Sequence, residues 1–242
     1  LTHNRQTAMG LTMFENDDID FFVERLNPEN PNEAWVNDHW EPLEVRQELI
    51  KIKEGTTDTL IVKESRHGPL FNGLLPVLDS VEERAVAMYW TYRHHPVQTL
   101  EAAYEISHSG SMAEFEQGVS LINAPGLNIM YGDSEGNIAW WTTGKLMVRP
   151  AHVNPYFFLD GASGKDEYER WLDFSENPQH VNPPQGYVYS ANNQPDSSGG
   201  LLYPGYYVPE HRARRITQLL ESKPTFTEEE MKAMMLDYLA LE

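Results

Sequence analysis

The stretch from Thr2 to Leu26 constrains the fold more than any other part of this chain. Thr2-His3-Asn4 reads as a polar turn and Gly10-Leu11-Thr12-Met13-Phe14 as a short apolar strand. Glu15-Asn16-Asp17-Asp18-Ile19-Asp20 is then a carboxylate-rich turn that opens a second amphipathic element, reaching Glu24-Arg25-Leu26. Strand, charged turn and amphipathic element in so short a span call for a sheet, and the rest of the chain supplies one. Val45 to Lys53 and Asp58 to Glu64 alternate apolar and polar about Glu54-Gly55-Thr56-Thr57, the pattern of a β-hairpin. Ser65-Arg66-His67-Gly68-Pro69 is a turn signal, and Ala85 to Tyr92 is a further strand ending at His94-His95-Pro96.

From Val97 to Ile122 the apolar residues recur at helical spacing, broken by Ser107 to Ser111. The clearest hairpin follows, Leu127 to Tyr131 and Asn137 to Thr142 about Gly132-Asp133-Ser134-Glu135-Gly136. Pro150 to Pro184, rich in Pro, Asn, Gly and aromatics, reads as a long irregular surface segment, after which Tyr187 to Ser190 returns as a strand. Pro209 to Glu221 is a helix, and Thr227 with Glu230 forms a capping box for the last one. Hairpins interleaved with helices give an α+β class with a largely antiparallel sheet.

The 242 residues suffice for one large domain or two small ones, and residues 1–242 read as a single domain. A net charge of −19, from 37 acids against 18 bases, disfavours nucleic acid and anionic membrane as partners. The absence of cysteine excludes disulfides, thiolate metal sites and a cysteine nucleophile. No apolar run is long enough for a membrane span. The chain starts without Met and stops inside a helical pattern, Met231 to Leu241, as an internal segment would.

Several groups of residues have chemical potential. Asn192-Asn193 follows the 187–190 strand. An Asx turn ending that strand accounts for the pair, because Asn tolerates left-handed backbone. An amide N–H fixed to receive an oxyanion is the functional alternative. Asp17, Asp18 and Asp20 form either a solvated loop or a site for a hard cation such as calcium, which takes carboxylate and carbonyl oxygens from a flexible turn. The spacing is not that of an EF-hand. The same three acids are also what a carboxylate-metal hydrolase would use. The arginines of His211-Arg212-Ala213-Arg214-Arg215 are ordinarily a solvated helix face. No zinc motif is present, and no serine lies in a Gly-x-Ser-x-Gly elbow.

Thr2-His3-Asn4, Met9-Gly10-Leu11-Thr12, Asp17-Asp18-Ile19-Asp20 and Glu24-Arg25-Leu26 together resemble the opening of a passage in the catalytic chain of the penicillin acylase (penicillin amidase) family. Arg66-His67-Gly68-Pro69, Tyr89-Trp90-Thr91, Asn128 with Asp133 to Ile138, the asparagine strand and Arg212 continue it in the family's order, so the resemblance covers essentially the whole chain. It implies an N-terminal nucleophile hydrolase-like αββα sandwich, here incomplete. It also implies an N-terminal serine that attacks an acyl amide with its own α-amine as base. Asn192 then matches the side-chain oxyanion donor, Met13 the backbone donor, and Arg212 the orienting arginine, with Arg215 its rival should the register slip by three. Trp90, Leu1, Leu11, Met13 and Leu127 match positions lining the acyl group, and residues as bulky as Leu11 and Met13 imply a pocket not shaped for a flat aromatic group.

By the same resemblance Asp17 and Asp20 match side-chain ligands of a structural calcium, with Ile19 and Pro155 as carbonyl ligands. A bacterial periplasmic or extracellular setting is implied, as are two partners, an alpha chain and the N-terminal part of the beta chain. Leu1 is not the serine, so the isolated chain is expected to be inert. Two relatives on this scaffold remain open, an acyl-homoserine lactone acylase and a non-catalytic ligand- or partner-binding protein.

Overall fold

The computed structural model describes residues 2–53, 55–74, 78, 84–195 and 202–239. The first part is built of strands: β1 (Thr2–His3), β2 (Thr7–Met13), β3 (Ile19–Arg25), β4 (Glu33–Val36), β5 (His39–Pro42), β6 (Glu44–Lys51), β7 (Thr57–Ser65), β8 (Gly68–Pro69) and β9 (Arg84–Trp90). Helices α1 (Thr91–His94), α2 (Thr99–His108) and α3 (Met112–Ser120) follow. Then come β10 (Leu127–Asp133), β11 (Ile138–Thr142), β12 (Met147–Val148), β13 (Leu159–Asp160), β14 (Arg170–Trp171) and β15 (Gln179–Val181). The last described helices are α4 (His211–Leu220) and α5 (Glu228–Met234). These form two compact units, one of residues 1–17, 97–145 and 172–242, the other of residues 18–96 and 146–171.

The first unit is organised by an antiparallel sheet in the order β1-β2-β10-β11-β15. Side chains alternate between its faces. Ile129, Tyr131, Ala139 and Trp141 take one face and pack against Ala102 and Ile106 of α2 and Phe115 and Val119 of α3. The break between α2 and α3 falls where the serines predicted it. Ser109 Oγ donates to the Ile106 carbonyl, and Ser111 caps α3 by accepting from the Glu114 amide. The β10–β11 turn is closed by Asp133, whose Oδ1 accepts the amides of Glu135 and Asn137, with Gly136 at φ +91°. Thr227 and Glu230 form the full capping box at α5.

Two expectations need correction. Tyr187 to Ser190 runs outside any sheet. Pro150 to Pro184 is not simply irregular surface: β13 pairs in parallel with β3, and β15 extends the large sheet. Leu159 lies in a core, and the buried Asn177 amide donates to the carbonyls of Thr142 and Gly144. Long-range bonds of this kind leave no periodic trace in composition.

The second unit has its core around Phe22, Ala87, Tyr89, Met147 and Leu159. On β3, Asp20, Phe22 and Glu24 share one buried face. Glu24 Oε1 accepts from Ser65 Oγ (2.5 Å) and bonds His67 Nδ1 (2.7 Å), while His67 Nε2 bonds Glu167 Oε1 (3.0 Å). The His67 ring stacks on Phe22 with centroids 3.8 Å apart, and Arg66 Nη2 also holds Glu167 (2.6 Å). Gly68, in the same turn, has φ +130°, and a Cβ there would lie 2.3 Å from the Met88 carbonyl oxygen, so only glycine fits.

Burial opposes charge on His67, but Glu167 and Glu24 outweigh it and raise the imidazole above its ordinary 6.5. A group whose folded pKa is raised contributes stability that is complete below the unfolded value and is lost as pH rises through the folded one. The melting temperature should therefore be higher near pH 6 than above the raised value. His67→Gln should flatten this alkaline limb, as read by thermal melts across pH; an unchanged limb would show that the imidazole stays neutral.

Candidate active site

β2 and β10 pair in the register Leu127↔Met13 and Asn128↔Thr12. The Phe14 amide donates to the Gly126 carbonyl (3.2 Å), which sets the phase of the ladder. In an antiparallel pair, hydrogen-bonded positions alternate with positions whose polar groups face away. Met13 and Leu127 form such a non-bonded pair. Leu127 accordingly turns to Thr143, accepting its amide (2.8 Å) and donating to its hydroxyl (2.9 Å). The Met13 N–H and C=O point the opposite way, off the β10 side of β2.

Asn192 meets Met13 at that edge. Its Nδ2 donates to the Met13 carbonyl at 2.9 Å, across 179 residues of sequence. Its Oδ1 accepts from Arg212 Nη2 at 3.0 Å, and the same guanidinium donates to the Ala191 carbonyl at 2.5 Å. Arginine only donates and a carbonyl only accepts, so the orientation of the Asn192 amide is settled by its neighbours. One Nδ2 hydrogen serves Met13, and the second lies in the partly exposed space beside it. Asn192 has φ +59°, as the turn reading expected, but the local turn bond is made by Asn193, whose Oδ1 accepts the Ala191 amide (3.2 Å).

Arg212 occupies the first turn of α4, where the helix dipole disfavours a cation; its two bonds to residues 191 and 192 offset that cost. Arg215 points elsewhere and pairs with Asp237 at 2.6 Å. The geometry thus separates the two arginines that the sequence left as rivals.

Leu11 and Met13 project from the helix-covered face of the sheet beyond the helices and stay 46% and 48% exposed. Leu127, directly across from Met13, completes this apolar patch. Leu1 lies outside the described residues. Behind the patch, on the other face, a frame that sequence reasoning missed reaches the same edge. Asn128, 3% exposed, donates through Nδ2 to the Met13 carbonyl (2.9 Å) and to Thr12 Oγ1 (3.2 Å), and accepts from the Trp140 indole (2.9 Å). The sequence placed Asn128 in the family's motif series without a role; its local signal was a polar side chain amid the apolar run Leu127-Asn128-Ile129-Met130, where strand propensity disfavours it.

In the second unit, Trp90 ends β9 opposite Ile19, its ring 4.8 Å from that of Tyr92. Burial raises the Asp18 carboxyl, and hydrogen bonds from backbone and the Trp90 indole counter it in part. Asp20, 2% exposed, gives Oδ2 to Arg149 (2.8 Å) and the Tyr168 hydroxyl (2.7 Å). Its Oδ1 is buried with no hydrogen-bond partner among the described residues. Pro155 lies in the turn closed by the Phe157 amide on the Asn154 carbonyl. Asp17, in the first unit, is buried, with its amide on the Pro204 carbonyl. Among the described residues no group of three or more His, Asp and Glu could hold a metal ion, so the carboxylate-metal hydrolase reading gains no ligand cluster.

The penicillin amidase family model matches residues 1–242. The chain belongs to that family. Among its relatives, penicillin G acylase of Escherichia coli is 30% identical over 93% of this chain and 26% of its own length. Acyl-homoserine lactone acylase QuiP of Pseudomonas aeruginosa is 27% identical over 98% of this chain and 29% of its own. The structure of a thermostable penicillin G acylase from Alcaligenes faecalis superposes with a TM-score of 0.83 at 25% identity, covering 96% of this chain and 41% of that one. The chain therefore has the expected mixed α+β, N-terminal nucleophile hydrolase-like fold, and spans between a quarter and a third of the curated relatives it matches. No helix among the described residues is long and apolar enough to cross a membrane.

Proposed function

We propose that this chain carries the oxyanion-binding part of a hydrolase that cleaves acyl amides. The observation that carries the proposal is the meeting of the Asn192 amide with the outward-facing Met13 peptide, 2.9 Å apart and oriented by Arg212. Acyl transfer places negative charge on the substrate carbonyl oxygen, and donors already fixed around that position stabilise it without reorganising. The Met13 N–H and the second Nδ2 hydrogen of Asn192 are two such donors. The nucleophile is an N-terminal serine outside residues 1–242. Its Oγ attacks the amide carbon while its α-amine takes the proton through a water, the C–N bond breaks to release the protonated amine, and water then hydrolyses the acyl ester.

Leu11, Met13 and Leu127 of the first unit take the acyl chain. The relatives' names, penicillin G acylase and acyl-homoserine lactone acylase, support acyl amides as the substrate class. The resemblance also supports a periplasmic or extracellular setting and an alpha chain as partner.

Asn192→Gly in the complete, matured enzyme tests this reading, and glycine keeps the left-handed backbone free of strain. Turnover should fall about 10²–10³-fold, as it does when one oxyanion donor is lost. KM should hold, and the folding cost should stay near 1 kcal/mol for the missing bonds. Near-normal turnover would leave Asn192 a turn residue and overturn the proposal.

The structural calcium implied by resemblance would draw on Asp20 Oδ1, the Ile19 carbonyl and Pro155 of the second unit, and would supply fixed positive charge. The orphaned Oδ1 suits a hard cation, but Arg149 already neutralises the carboxylate. Binding should be weak, with Kd of about 10⁻⁶ M or above. Calorimetric titration checks this: a submicromolar site abolished by Asp20→Asn would contradict it.

A further inference from the structure

We infer that Asn128 is a positioning residue that holds both oxyanion donors in one hydrogen-bonded frame; the inference rests on the acyl-amide hydrolase reading. Asn128 sits inside β10 with its amide wholly engaged. Both Nδ2 hydrogens are used, on Met13 O and Thr12 Oγ1, and Oδ1 accepts the Trp140 indole N–H. Its main chain also faces Thr12 at a bonded position of the ladder. The Thr12 carbonyl belongs to the same peptide as the Met13 N–H, and in a planar trans peptide the two point opposite ways. Bonding that carbonyl to β10 therefore aims the Met13 N–H outward.

The frame continues to the second donor by two routes. The Met13 carbonyl accepts from Asn128 and from Asn192, each at 2.9 Å, so the two asparagines share one acceptor. Thr12 Oγ1 lies 2.6 Å from Ser190 Oγ, which accepts the Asn192 amide N–H at 3.2 Å. Asn128 thus braces the peptide bearing one donor and both the backbone and the side chain of the residue bearing the other. No different side chain makes all three bonds. Aspartate keeps the shape but loses both donors and sets an anion against the Met13 carbonyl; leucine leaves that carbonyl and the Trp140 indole without this partner.

The test compares Asn128→Asp, Trp140→Phe and Asn192→Gly in the complete, matured enzyme. The readouts are kcat and KM for a chromogenic acyl anilide, affinity for a boronic acid that forms a tetrahedral adduct, and melting temperature. Misplacing donors without removing them should lower kcat about 10–10²-fold in Asn128→Asp. Boronate affinity should weaken in parallel, with KM within about twofold. Trp140→Phe, which keeps an aromatic ring but removes the indole N–H that bonds the Asn128 carbonyl, should move kcat and boronate affinity the same way by a smaller factor. If Asn128→Asp does not fold, Trp140→Phe decides alone. Normal kcat in these variants beside a collapsed Asn192→Gly would overturn the positioning role and leave the hydrolase reading standing. Equal losses in KM, boronate affinity and melting temperature would make Asn128 merely structural. An active Asn192→Gly would remove the hydrolase reading itself.

Discussion

The register between β2 and β10 decides what the first unit can do. With Phe14 bonded to Gly126 and Met13 opposite Leu127, the Met13 peptide turns outward and its side chain joins the apolar patch. A slip of one residue would invert both relations. If β2 turned over, Met13 would spend its N–H in the ladder; if β10 turned over, the Asn128 amide would face the helix-covered core beside Phe115 and Trp141, where its partners are absent. The polar network therefore depends on the register, and it also defends it, because burying an unpaired amide costs about 1–3 kcal/mol.

In the second unit a comparable constraint acts on β3. An ordinary reading of Asp20-Phe21-Phe22-Val23-Glu24 puts the two acids in water, yet Asp20, Phe22 and Glu24 form the buried face. Each carboxylate meets its own partner there, the Arg149 guanidinium for Asp20 and, for Glu24, the His67 imidazole, its pKa raised against burial by Glu167 and Glu24. Burying a charge is costly unless it is paired and hydrogen-bonded. The arrangement holds because neither acid is buried alone, and because the His67 ring also supplies apolar contact by stacking on Phe22. Removing one partner would be worse than removing both.

Local signals were legible wherever the chemistry is local. The hairpins, the serine break between α2 and α3, and the Thr227 capping box each depend on residues a few positions apart. That Met13 and Asn192 belong together was expected through family resemblance alone, since no periodicity joins them; the structure brings them into contact. What stayed hidden was settled by distant partners: the buried acids of β3, the tethers within Pro150 to Pro184, and the bonding of Asn128. The extended run Tyr187 to Ser190 shows the converse. Its composition suits a strand, but a strand also needs a ladder partner, which no local pattern supplies.

Three locally unfavourable choices meet around the Met13 carbonyl and the Asn192 amide that bonds it. Asn192 adopts a left-handed backbone, Arg212 stands at the positive end of a helix dipole, and Asn128 buries a primary amide in a strand. Each alone lowers stability, by roughly 1 kcal/mol for the left-handed residue. Each is satisfied through bonds that end at Met13 or Asn192. Local disadvantage that a fold retains and cross-links marks a place where geometry matters more than stability. On the acyl-amide reading proposed above, two donors held in this way stay aimed where the substrate carbonyl oxygen gains charge, the preorganisation on which amide hydrolysis draws.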